Sequence, residues 1–132
     1  MSGESLMATK EKYELEFLLK TSPKILYNMI STPSGLAEWF ADDVNIRGDV
    51  YTFIWDDSEE TASLVSRKSF EFIKFKWTEQ DEGTFFEFRI KIDQLTNEVA
   101  LIVTDFADED ELDSARELWG SQVNELRQII GG

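Results

Sequence analysis

Acids crowd one short stretch near the end of the chain, among them Asp105, Asp108, Asp110, Glu111 and Asp113. Carboxylates this close together are what a calcium loop uses, because a hard cation gathers oxygen ligands. Such a loop also needs a central glycine for its sharp turn and a closing bidentate glutamate, and the segment has neither at the required spacing. Acids at a helix start have a sufficient electrostatic reason, since they face the positive end of the helix dipole. The cluster is therefore read as a helix start, and no metal site is predicted. Acid–base chemistry would need one carboxyl raised by burial beside another kept ionised. Every acid inside a predicted strand falls on the wet face of the alternation, so no catalytic carboxylate is predicted. Asp56, Asp57, Glu59 and Glu60 are read as a solvated hairpin tip.

The chain has no histidine and no cysteine. That removes the commonest general base, every Ser-His or Cys-His relay, thiolate nucleophiles, disulfides and cysteine zinc sites. No Gly-rich phosphate loop and no nucleophile elbow is present either. What remains is aromatic. Trp39, Phe40, Trp55, Trp77, Phe86, Phe88 and Trp119 all fall on inward positions, where they either fill a core or line a concave apolar site of the kind ligands prefer. Gln122 lies between Leu118 and Leu126 inside the apolar arc of the last helix. A buried amide without partners costs about 1–3 kcal/mol, so backbone, a tyrosine, trapped water or a ligand must bond to it. Arg116 borders the same arc.

The elements that position these residues follow from periodicity. Asp108 to Gly132 gathers Leu112, Ala115, Leu118, Trp119, Val123, Leu126, Ile129 and Ile130 into one arc of roughly 140° at helical spacing. It predicts one long amphipathic helix, stopped by Gly131-Gly132. Lys12 to Lys20 alternates Tyr13, Leu15, Phe17 and Leu19 against polar residues, a strand with one wet face. Ser22-Pro23 and Thr32-Pro33 each pair a cap residue with proline at the first helical position, which starts two short helices. From Val44 to Phe106 the period is two. Strands are predicted over Asp43–Arg47, Val50–Trp55, Thr61–Arg67, a segment from Phe70 to Trp77, Thr84–Asp93 and Val99–Phe106. Asp56 to Glu60 and Gln80 to Gly83 are the predicted hairpin loops. The phase slip between Phe72 and Ile73 predicts a β-bulge. The fold class is α+β: about seven antiparallel strands, curled by twist and bulge around the C-terminal helix.

With 132 residues, 42% hydrophobic and 13% aromatic, the chain is predicted to be one folded domain over residues 12–132. Residues 1–11 are expected to be a polar, disordered lead without the apolar core of a signal peptide, which makes the cytoplasm the expected compartment. No apolar run approaches the roughly 20 residues needed to span a bilayer. Net charge is −14. Residues 41–60 carry seven acids and one Arg, net −6, and residues 108–132 carry seven acids and two Arg, net −5. Such a surface repels phosphate backbones and anionic lipid heads, so nucleic-acid and membrane roles are not expected.

The order of one strand, two short helices, six strands and one long helix resembles the helix-grip layout of the START-like superfamily, the polyketide cyclase/dehydratase and lipid-transport group. TSPKILYNMISTPSGLAEWF, from Thr21 to Phe40, is similar to that family's paired short helices ending in Trp-Phe. Ile73, Phe75 and Trp77 resemble its apolar strand ending in Trp. Leu101, Val103, Thr104 and Phe106, followed by Trp119, Val123 and Leu126, resemble its closing strand and helix. Within the superfamily the chain is most similar to small bacterial START-like proteins and to the branch of the heat-shock chaperone ATPase activator. It departs from the pattern at Gly120, which follows the helix Trp, and at Gly48-Asp49, where Gly-Gly is usual. The resemblance implies a non-enzymatic domain holding a small apolar or amphipathic molecule between helix and sheet, without a cofactor. The candidate ligand-binding residues are Trp39, Phe40, Trp55, Trp77, Phe88, Trp119 and Gln122. The alternative implied by the chaperone-activator branch is a protein-interaction module using the acidic surface. An enzyme of the cyclase or hydrolase kind is disfavoured by the missing histidine and would be revived by a buried carboxylate beside a pocket.

Overall fold

A computed structural model describes residues 10–79 and 83–131. Its strands are β1 (Lys10–Leu19), β2 (Asp43–Arg47), β3 (Val50–Trp55), β4 (Ser58–Lys68), β5 (Phe72–Trp77), β6 (Phe86–Ile92) and β7 (Val99–Asp108). Its helices are α1 (Pro23–Ser31), α2 (Pro33–Trp39) and α3 (Leu112–Ile130), the last entered through a 3-10 turn at Glu109–Glu111. Among the described residues the seven strands form one antiparallel sheet in the order β1-β7-β6-β5-β4-β3-β2. This is the expected α+β helix-grip arrangement. Residues 1–9 of the expected lead, and Gln80 to Glu82 of one expected hairpin loop, lie outside the described residues.

The capping signals act as their chemistry requires. Ser22 Oγ accepts from the Ile25 N–H at 3.1 Å, and Thr32 Oγ1 accepts from the Gly35 N–H at 2.9 Å, each with proline in the first turn. Gly35 is where α2 crosses α1. A Cβ there would stand 2.3 Å from the Asn28 carbonyl oxygen and 2.7 Å from the Met29 Cα, so only glycine permits the approach. Gly131 ends α3 in the left-handed region at φ 82°.

The core lies between sheet and helices and is dominated by rings. Phe40, the C-cap of α2, stacks on Trp119 of α3 at 5.7 Å and on Phe86 of β6 at 5.9 Å. Phe53, Phe75, Phe86 and Phe88 are fully buried beneath it.

Four expectations are corrected. The β3–β4 loop is only Asp56-Asp57, because Trp55 pairs directly with Ser58. The bulge is on β4, where Val65 is the extra residue between Leu64 and Ser66. The phase slip around Phe72 instead reflects Phe70, which sits in the β4–β5 turn at φ 68° and outside the strand. Ile92, expected inside, is exposed at the end of β6. The buried stripe of α3 is narrower than the predicted arc. Trp119, Val123 and Leu126 are buried, whereas Leu118 and Ile129 are exposed.

Candidate functional site

The first half of α3 does not close fully on the sheet. Between it, β1, β7 and the tip of the β3–β4 hairpin lies an open cleft of about 520 Å³. Its apolar wall is Phe40, Trp55, Trp77, Trp119, Ala115 and Leu118. Leu118, 61% exposed, forms part of the rim and covers no sheet. The polar groups are Tyr13, Asp57, Ser58, Glu60, Asp105 and Gln122.

Two hydrogen-bonded knots hold the walls. At one side the Phe40 carbonyl, left at the end of α2, accepts from the Trp55 Nε1–H at 3.0 Å and from Gln122 Nε2 at 3.1 Å. The amide that periodicity placed in the apolar arc thus finds a backbone partner while still lining the cleft. At the other side Asp105 Oδ2 accepts from the Trp119 Nε1–H at 3.1 Å and from the Tyr13 hydroxyl at 3.3 Å. Asp105 Oδ1 accepts from the Phe106 N–H at 2.8 Å. Burial pushes the Asp105 carboxyl above the usual carboxylate range, although the bonds from Phe106, Trp119 and Tyr13 pull it down. Burial, followed by the Asp105 charge, raises the Tyr13 phenol far above its ordinary value.

Of the seven candidate residues, Phe40, Trp55, Trp77, Trp119 and Gln122 converge on the cleft. Trp39 and Phe88 do not line it. Trp39 is buried in the core with its indole N–H donating to the Met29 carbonyl at 2.9 Å, and its ring lies 5.4 Å from that of Phe88. Arg116 stays on the exposed side of α3, 3.8 Å from Asp113.

Asp105 is the residue that sequence reasoning missed, and its assignment to the wet face is wrong. The signal was present: Leu101, Val103, Asp105 and Ala107 share one phase of β7, and three of the four are buried. The same pairing puts Leu15 opposite Val103 and Tyr13 opposite Asp105 on the inner face. Among the described residues its lining carries three carboxylates, Asp57, Glu60 and Asp105, and no cation, although the Lys10 and Arg116 charges reach Asp105 and Tyr13 from outside it. Its chemistry suits an apolar body whose polar end donates hydrogen bonds, and it disfavours anions.

The profile of the START-like superfamily domain matches residues 7–132. The chain belongs to the START-like superfamily. Among START-like relatives of known structure, a Bacteroides fragilis protein solved by NMR is 41% identical, over 92% of this chain and 91% of its own, with a TM-score of 0.65. The Aha1 dimer from Colwellia psychrerythraea is 15% identical over 91% of this chain and 96% of its own, with a TM-score of 0.77. A Mesorhizobium loti protein is 12% identical over 92% of this chain and 97% of its own, at 0.75. The last two share the START-like fold. No curated protein matches the chain. No helix among the described residues is long and apolar enough to cross a membrane.

Proposed function

We propose that this START-like domain binds a small apolar or amphipathic molecule in the cleft under α3, in the cytoplasm and without transforming it. The observation that carries the reading is that Trp55, Trp77 and Trp119, three of the four tryptophans, meet at one opening. Trp55 and Trp77 stay only half-buried at this opening, whereas Trp39 is sealed in the core. A cleft of about 520 Å³ with aromatic walls and a few fixed polar groups is the usual form of a small-molecule site. The three carboxylates at its wall select for a neutral or cationic polar end carrying N–H or O–H donors.

Acid–base chemistry at Asp105 is the second reading, since this carboxyl is half-buried beside the cleft with a raised pKa. Against it, Asp105 Oδ2 already accepts from two fixed donors, which leaves it poorly placed to take a proton from a ligand. The acidic interaction module remains the alternative should the cleft prove empty of small molecules.

Tryptophan fluorescence tests the binding reading directly. Titration with 2-phenylethylamine should quench or shift the emission saturably, and 3-phenylpropionate should do so far more weakly. Equal responses, or none at millimolar concentration, would remove the proposed selectivity or the site itself.

A further inference from the structure

A second cleft, about 580 Å³ and sharing no residue with the first, lies between α1 and the β4–β5 turn. Its charge is inverted. In a chain of net −14 its wall, among the described residues, carries Lys24 and Arg67 and no acid. Among the described residues neither cation makes an ion pair or a hydrogen bond, whereas the adjacent Lys68 is paired with Glu71 at 3.2 Å. Asp49 is close enough to act on the neighbouring Tyr51, but it does not line the cleft. Leaving two cations unneutralised on so acidic a surface keeps a local positive field available for a ligand.

The remaining wall is aromatic and not fully satisfied. Tyr27 presents its ring edge to Phe70 at 5.8 Å, while its hydroxyl is buried with no protein partner among the described residues. Buried hydroxyls are nearly always bonded, and this one is an exception among the described residues. Phe70 holds φ 68°, a region where a bulky side chain is a genuine outlier and where Gly or Asn is the usual turn residue. The ring it carries there is 51% exposed, so core packing does not account for it. Ile25 of α1 is exposed on the same wall.

We infer that this cleft is a binding site for an organic carboxylate with an aromatic or short alkyl body, its charge held by Lys24 and Arg67 and its body by Ile25, Tyr27 and Phe70. The guanidinium fork matches the planar carboxylate, and the lysine adds a second charge. The inference does not depend on occupancy of the cleft under α3, and the two sites prefer opposite charges.

The test is ¹⁵N-resolved NMR titration of the full chain with 4-phenylbutyrate, with 4-phenylbutanol as its neutral counterpart and inorganic phosphate as a bare anion. Phenylbutyrate should move the amides of residues 24–28 and 67–70 saturably and leave those of Trp55, Trp119 and Gln122 in place. Arg67→Gln should weaken binding about tenfold, as expected for the loss of a charge-assisted contact. Lys24→Gln should weaken it less, because it removes a more mobile point charge. Tyr27→Phe should leave the melting temperature unchanged or raised, because its hydroxyl has no protein partner to lose. The inference fails if the alcohol binds as well as the acid, if phosphate alone reproduces the shifts, or if Arg67→Gln binds like wild type. It also fails if the shifts map to the cleft under α3.

Discussion

Trp119 of α3 donates its indole N–H to the carboxylate of Asp105 in β7 at 3.1 Å, joining the helix to the sheet by a polar bond at the edge of an aromatic core. Trp119 is 7% exposed, stacks on Phe40 and meets Phe88 edge-on at 5.7 Å. Its removal opens a large void and leaves a half-buried carboxyl short of one donor. Trp119→Ala should therefore destabilise the fold by about 3–5 kcal/mol, the range for deleting a buried aromatic. Urea denaturation measures it, and a loss below about 1 kcal/mol would mean the ring is not packed as described.

The raised Asp105 carboxyl has a stability consequence with a definite sign. Folding favours its protonated form, so its contribution is greatest below the ordinary value of 3.8 and is lost as pH rises through the folded-state pKa. Asp105→Asn keeps an acceptor oxygen and removes the titration. The stability of the variant relative to wild type should increase as pH climbs from 3.8 toward neutrality. Parallel stability profiles for the two proteins would show that the donors from Phe106, Trp119 and Tyr13 cancel the effect of burial.

Gln122 separates a structural from a binding role. The Phe40 carbonyl that it bonds also accepts from Trp55, so Gln122→Leu leaves that oxygen with a partner. The variant should lie within about 1 kcal/mol of wild type in stability, short of the cost of stranding a buried acceptor. It should lose affinity for an amphipathic probe if a ligand's polar end bonds this amide. Thermal melting of both proteins with and without the probe distinguishes the two roles, and a large loss of stability with unchanged probe binding would make the residue purely structural.

Charge repulsion should be visible in salt. Residues 41–60 and 108–132 hold net −6 and −5, and the Arg116–Asp113 contact within them is long and exposed, so it offsets little. Screening acts over about 10 Å at 0.1 M salt, so the melting temperature should rise as sodium chloride goes from low to moderate concentration. A flat or falling curve would show that the acids are too dispersed to repel one another.

Much of this fold is written in local patterns. Ser22-Pro23 and Thr32-Pro33 start helices through bonds made within three residues, and alternation located β2 and β3 to the residue. The reading loosened where side chains answer to distant partners. Asp105 shares the inward phase of Leu101 and Val103, not the wet face expected of it, and what holds it there is distant: its bond to Tyr13 spans 92 positions, beyond any local pattern. Leu118 and Ile129 belong to the apolar arc of α3, yet the curvature of the sheet leaves one at a cleft and the other exposed. The wall of Phe40, Trp55, Trp77, Trp119 and Gln122 was legible because those residues are aromatic or polar at inward positions. That Trp39 and Phe88 lie beneath the cleft depends on the depth of the core, which periodicity does not encode.

Native mass spectrometry of the protein purified from its own host tests the binding claim most directly. The account predicts a mass excess of one small, donor-bearing apolar molecule per chain, reduced in a variant such as Trp77→Ala that removes part of the cleft wall. A chain of bare mass whose melting temperature no lipid or metabolite extract raises would contradict it, and the acidic surface would then be the feature to pursue.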